Sequence, residues 1–229
     1  MTNDFYSRTK ALIGDNSLDK LKNSAVAVFG IGGVGSYAVE ALARSGIGTL
    51  YLFDNDTVNE SNINRQSIAL NSTVGKLKTC VVRERCKDIN PNINIIEYPI
   101  FVTPESDIPF DKFDFIIDAV DNVTAKLFLI ENATQRDIPI ISVMGTGNKL
   151  YPEKLKISDI YDTKECPLCR VMRYELKKRN IKKLSVVWSD ERPIKPRETS
   201  DKPTVASMTF VPAASGMLAS SYVIRNLIK

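Results

Sequence analysis

The stretch "VFGIGGVGSYAVEALARSGIGTLYLFDND", Val28 to Asp56, decides the fold. It reads as strand, glycine turn, helix, strand, acid. The apolar run AVAVFG (25–30) is what a strand buried on both faces requires. Gly30, Gly32 and Gly35 then satisfy G-x-G-x-x-G between that strand and a helix, the setting in which the motif carries weight. Such glycines permit a tight turn and close backbone approach to a phosphate, with the helix N-terminus facing the anion. Helical spacing runs over 34–46 and ends at Gly46, a plausible C-cap. TLYLFD (49–54) is a second strand, and its terminal Asp54 is placed for ribose hydroxyls. Taken alone, the stretch points to NAD or FAD; the bland alternative is a purely structural glycine turn.

Outward from this unit the alternation continues. Residues 3–24 are expected as a helical entry with Leu12, Ile13, Leu18 and Leu21 as its apolar positions. A helix over 76–90 stops at Pro91, and strands follow at 92–100, 112–120 and 138–145, with a helix over 123–136. Alternating strands and helices predict an α/β fold: a Rossmann-like, mostly parallel sheet flanked by helices. After Gly147 the rhythm weakens into a smaller C-terminal α/β extension. It holds a strand in KLKISDI, a helix in CPLCRVMRYELKKRN, a strand in KKLSVVWS, a charged loop at 190–204 and a closing helix at 213–229. The expected division is a core at 1–150 and an extension at 151–229. No apolar run is long enough to span a membrane, and the polar N-terminus lacks a signal-like apolar region, so a soluble, cytoplasmic protein is expected.

The 229 residues include no histidine, which excludes histidine bases and histidine metal ligands. Chemistry must run on carboxylates, lysine, arginine, amides, thiols or backbone groups. The segment DNDTVNESNINRQ supplies such groups: Asp54, Asp56, Asn62, Arg65 and Gln66 fall in one loop at the carboxyl edge of the sheet. Lys78 follows near the start of the next helix, and DAVDN puts Asp118, Asp121 and Asn122 at the end of the fourth strand. In an open α/β sheet these strand ends line one crevice. Hydride transfer gains little from this set, whereas cations and a Mg²⁺-binding acid around a glycine-bound phosphate suit a nucleoside triphosphate. No G-x-x-x-x-G-K-[ST] is present, so the site is not a P-loop.

With those motifs in order, the chain resembles the ThiF/MoeB/HesA family, the adenylating relatives of ubiquitin-activating enzymes. GIGGVGS, LFDNDTVNESNINRQ, VGKLK and DAVDN carry the likeness. The resemblance implies binding of Mg-ATP and adenylation of a carboxylate with release of pyrophosphate. It implies Gly33 against the nucleotide, Asp54 on the ribose, and Asn62, Arg65 and Lys78 on the phosphates beside Gln66. It places Asp121 toward Mg²⁺, with Asn122 adjacent. Arg8 is similar to an arginine that dimers of the family donate to the partner's ATP, so a homodimer is implied.

Sulfur-carrier activators of the family typically carry two C-x-x-C pairs for zinc; here only Cys166–Cys169 has that spacing. Cys80 and Cys86, six residues apart on one helix, point about 120° apart, so a four-cysteine zinc site within one chain is not expected. Cys166 and Cys169 are read as buried or free thiols opening a helix, with a redox role or a zinc site shared between subunits as alternatives. RTKALIG, VTPES, VMGTGNK, KISDIYDT and PLCRVMRYELKKR are similar to a branch that acts on tRNA beside the anticodon. That branch cyclises the threonylcarbamoyl side chain of a modified adenosine. Between Arg170 and Arg197 ten lysines or arginines stand against three acids, a block suited to a polyanion or to a solvated helix face. Arg170, Arg173 and Lys177 share one helix face and are the candidate tRNA phosphate contacts. The remaining alternatives are adenylation of a ubiquitin-like sulfur carrier, a dinucleotide oxidoreductase and a non-catalytic scaffold; a sulfur-relay protein is a further candidate partner.

Overall fold

The computed structural model describes residues 5–197 and 205–229. The elements run α1 (Ser7–Ile13), α2 (Asp15–Lys22), β1 (Ala25–Phe29), α3 (Gly35–Ser45), β2 (Thr49–Phe53), α4 (Lys78–Ile89) and β3 (Asn94–Tyr98). Then come β4 (Phe115–Asp118), α5 (Val123–Gln135), β5 (Ile140–Val143), β6 (Leu155–Asp159), α6 (Pro167–Lys178), β7 (Ser185–Ser189) and α7 (Phe210–Leu227). One seven-stranded sheet results, in the order β3-β2-β1-β4-β5-β7-β6. Every pairing is parallel except that of β6 with β7.

The central strands explain their own position. Val26 to Phe29 and Phe115 to Asp118 are buried throughout, as strands covered by helices on both faces must be. The edge strands β3 and β6 are only partly buried, and Lys156 faces water on β6, where a lysine discourages further strand pairing. The chain leaves β1 toward β2 and β3 on one side, and later builds β4, β5 and β7 on the other. That reversal opens a crevice at the carboxyl ends of β1 and β4.

Two details depart from the expectations. The entry is two helices, because Gly14 takes a φ of +79° between them. Leu18 and Leu21 are buried as expected, but Leu12 is 85% exposed and belongs to no core. The C-terminal strands extend the same sheet, and α7 lies along α3. A Cβ on Gly216 would sit 2.4 Å from the Val34 carbonyl oxygen, so only glycine permits this approach. Ser220 Oγ donates to the Ala38 carbonyl 3.1 Å away, and Tyr37 and Thr209 hydroxyls meet at 3.0 Å. These contacts pin the start of α7 beside the glycine turn. Of the 190–204 loop, residues 198–204 lie outside the described residues. Its first residues are tied down: Glu191 is buried and accepts the Leu150 and Tyr151 N–H groups at 2.9 and 3.0 Å.

Candidate active site

At the crevice lies a cavity of about 640 Å³. Gly30, Gly32 and Gly33 form its floor, and Asp54, Asp56, Asn62, Arg65, Gln66 and Lys78 one wall. Asp121 and Asn122 lie on the opposite lip. Segments remote in sequence close it: Ile100 to Val102, Val143 to Gly147, Leu168, Val205, Ser207 and Pro212.

The turn is fixed by steric exclusion. Gly30 has φ +85°, and a Cβ there would meet the Ala119 carbonyl oxygen at 2.8 Å. Gly35 is not part of the cavity wall; a Cβ on it would fall 1.8 Å from the Gly30 carbonyl oxygen. Its role is to let α3 begin directly under the turn. Gly32 is the open position, with only Gln66 Nε2 near its Cβ site, at 4.0 Å.

Asp54 is held by backbone donors. Its Oδ2 accepts the Ile31 N–H at 2.6 Å and its Oδ1 the Asp56 N–H at 2.8 Å. Burial pushes its carboxyl above the usual carboxylate range, opposed by the Lys78 ammonium and by these two N–H groups. Lys78 is 4% exposed, and its Nζ lies 2.7 Å from Asp56 Oδ2 and 3.9 Å from Asp54 Oδ1. Because Asp56 is open to water, the ammonium is anchored without being closed off from the cavity. Arg65 is half-buried and its guanidinium donates to the Ser61 carbonyl at 2.7 Å and to Asn64 Oδ1 at 2.9 Å. Asn62 is buried and its Oδ1 accepts the Asn59 N–H at 3.1 Å.

Several residues stand elsewhere than the sequence suggested. Asp118 is fully buried and faces away from the cavity into a polar cluster. Its Oδ2 takes Lys126 Nζ at 3.0 Å and Ser142 Oγ at 2.5 Å. Lys126 also donates to the Val143 carbonyl at 2.8 Å, and Asp118 Oδ1 accepts the Val120 N–H at 3.2 Å. This cluster ties the ends of β4 and β5 to α5. Sequence reasoning passed over Lys126, although a lysine inside the apolar run of α5 signals a buried partner. Arg8 is exposed on α1, outside the chain's own cavity. On α6, Cys169, Met172 and Leu176 are buried while Arg170 and Lys177 are exposed. Arg173 turns inward and donates to the Thr163 carbonyl at 3.1 Å and to the Thr163 hydroxyl.

Among the described residues no cluster of three or more acidic or thiol groups forms a ready metal cage. The cavity does suit a polar guest. Gln66 Oε1 is buried on its wall with no hydrogen-bond partner. An amide can present either an acceptor to a hydroxyl or a donor to a phosphate oxygen.

A Rossmann-like crevice whose wall carries both cations and carboxylates is the kind of site that suits a phosphorylated nucleotide. The chain belongs to the ThiF family, which it matches over residues 6–228. It is similar to a tRNA threonylcarbamoyladenosine dehydratase of Bacillus subtilis, 41% identical over 240 residues, 98% of this chain and 94% of that one. The Escherichia coli tRNA N6-threonylcarbamoyladenosine dehydratase, TcdA, solved in complex with ATP, is 32% identical. It superposes with a TM-score of 0.88 over 97% of this chain and 93% of that one. The likeness to the adenylyltransferase and sulfurtransferase UBA4 of Vanderwaltozyma polyspora is narrower. It is 37% identical over 131 residues, 57% of this chain and 30% of that one.

Proposed function

We propose that the chain is an ATP-dependent tRNA threonylcarbamoyladenosine dehydratase, acting by adenylation of the substrate carboxylate. The observation that carries this is Arg65 and Lys78 on a glycine-floored cavity, in a chain similar over nearly its whole length to enzymes of that name. The carrier-protein reading has the weaker support, since its similarity covers 57% of this chain.

A carboxylate is a poor acyl donor because its leaving group is oxide, and AMP is a far better one. The substrate carboxylate attacks the α-phosphorus of ATP and pyrophosphate departs. Arg65 and Lys78 stabilise charge on the phosphoryl oxygens, at about 3–4 kcal/mol per well-placed donor. The neighbouring carbamoyl group then attacks the acyl carbon, AMP leaves and the ring closes. Ring closure within one molecule gains from proximity, so no protein nucleophile is required. The adenylation and ring closure themselves move no sulfur. Asp54 takes the ribose hydroxyls through its remaining lone pairs, and Gln66 satisfies its orphaned amide on the nucleotide. Asp121, with Asn122 beside it, would hold Mg²⁺. One carboxylate suffices for a cation of this kind, whose charge would neutralise the departing pyrophosphate.

The chain acts as a homodimer in this reading. Supporting it, α1 buries none of its residues, Leu12 is 85% exposed on it, and Arg8 lies there outside the chain's own cavity. Light scattering at micromolar concentration should give twice the chain mass. The tRNA is held by exposed Arg170 and Lys177 on α6. For the reaction itself, ATP is incubated with threonylcarbamoylated tRNA, unmodified tRNA or a carrier protein, and AMP is measured. AMP that depends on the modified tRNA is expected; AMP that depends on the carrier alone would sink the assignment.

A further inference from the structure

The adenylation chemistry leaves one motif unused, Cys166-Pro-Leu-Cys169. Cys166 is the N-cap of α6 and Cys169 lies inside its first turn. Both are free thiols and both are buried, Cys166 at 3% and Cys169 at 0% exposure. Residues three apart on a helix have Cα atoms about 5 Å apart, inside the range a disulfide spans.

The pair abuts the nucleotide cavity. Leu168 and Gly145 line its wall, and a Cβ on Gly145 would stand 3.9 Å from Cys166 Sγ. Behind the same glycine lies Lys149, itself buried. Its ammonium donates to the Gly145 carbonyl at 3.0 Å and to the Ser189 carbonyl at 3.4 Å. These partners are neutral carbonyls, and the ammonium and the sulfur of Cys166 both stand against Gly145. The Cys169 thiol, the Cys169 and Gly145 N–H groups and Lys149 together hold Cys166 well below the usual thiol range, against its burial. The hydrogen bond to Cys166, together with burial, drives Cys169 the other way. One sulfur is thus prepared to attack and the other to resolve.

We propose that Cys166 and Cys169 form a reversible dithiol–disulfide couple that responds to low-molecular-weight disulfides and sets the shape of the adjoining cavity wall. The Cys166 thiolate attacks one sulfur of RSSR, forming a mixed disulfide and expelling RS⁻. Cys169 gives up its proton and attacks the Cys166 sulfur, expelling the second RS⁻. The two cysteines lose two electrons and two protons, and RSSR becomes two RSH. The oxidised sulfur carries no charge for Lys149 and is a poor acceptor for the Gly145 N–H. The Gly145–Gly147 wall is then released from one of its anchors. The effect on activity rests on the adenylation reading, whereas the thiol chemistry does not.

The full chain is equilibrated with glutathione buffers from reducing to oxidising, alkylated, and weighed by mass spectrometry. Two of its four thiols should disappear together, with a mass loss of two hydrogens that dithiothreitol reverses. Cys169→Ala should accumulate one glutathione on Cys166, and Cys166→Ala neither glutathione nor the disulfide. AMP formation should fall by about 10²-fold at the same midpoint in the wild type, the scale on which a displacement of about 1 Å in a site acts. Cys166→Ala should show no such redox dependence. Four thiols surviving at the oxidising limit, or loss confined to Cys80 and Cys86, would overturn the couple. A disulfide that forms with unchanged activity would overturn its link to the cavity. A disulfide that forms in a chain making no AMP even when reduced would overturn the adenylation reading and leave the couple standing.

Discussion

Two lysines follow the two strands that flank β1 in the sheet, and they meet different fates. Lys126, on α5 after β4, is fully buried, and its ammonium is consumed by Asp118, Ser142 and the Val143 carbonyl. Lys78, at the start of α4 after β2, is almost as buried, yet its nearest partner is Asp56, whose side chain is 60% exposed. The first ammonium is sealed in a closed network. The second is held by a carboxylate that water also reaches, on the wall of a cavity. A lysine fully satisfied inside the protein serves the fold; one anchored by a solvated partner keeps charge to offer a ligand.

The largest effect should come from breaking the closed network. Lys126→Met leaves Asp118 buried without its cation and should cost about 3–5 kcal/mol in urea denaturation. Lys78→Met should cost less, about 1–2 kcal/mol, because Asp56 can turn to water and the Ile31 and Asp56 N–H groups still hold Asp54. Equal losses would remove the distinction between the two sites. On the reaction, the ranking reverses. Lys78→Ala and Arg65→Ala should each slow tRNA-dependent AMP formation by about 10²–10³-fold, the scale of one lost transition-state donor. Near-normal turnover in either would remove that residue from the site.

A smaller contrast divides α6. Arg170→Gln and Lys177→Gln should each lower the salt slope of tRNA binding by about one unit per lost phosphate contact. Arg173→Gln should instead lower the melting temperature, because its guanidinium is bonded to Thr163. A salt slope untouched by the first two would return that face to ordinary solvation.

The smallest effect concerns pH. Cys166 is held at about 5 against an ordinary thiol value of 9.0. Between these values the folded chain carries a thiolate where the unfolded chain carries a thiol. The stability this adds is therefore present at the upper value and lost as pH falls through the lower one. Cys169, raised instead, adds stability that is lost above the ordinary thiol range. The stability of the wild type relative to Cys166→Ala should thus decline from pH 9 toward pH 5. A flat difference would place no thiolate at Cys166.

Much of this was legible in the chain itself. The five strands up to Val143 fell within the segments expected, and the central β1 and β4 most plainly, because strands buried on both faces need continuous apolar sequence. Gly30, Asp54, Arg65, Gln66 and Lys78 lie on the cavity wall because strand ends in such a sheet converge. The misreadings have physical causes. Leu12 fits a helical apolar pattern, but periodicity does not distinguish a face covered by the chain's own core from one left open. Asp118 belongs to the same short motif as Asp121, yet it is the last residue of β4 and is buried in the protein, whereas Asp121 lies in the exposed bend after the strand.

By itself the sequence determined the strand–turn–helix unit, its parallel class and the order of acids and cations along the crevice, because these depend on local sterics and on the periodicity of apolar residues. Only the tertiary structure decided that Leu168, Val205, Ser207 and Pro212 complete the cavity wall. It alone brought Lys126 to Asp118 and Cys166 to the segment of Gly145 and Lys149. Those meetings join residues that no local pattern relates, and they exist only because the folded sheet and its helices exclude water from the space between them.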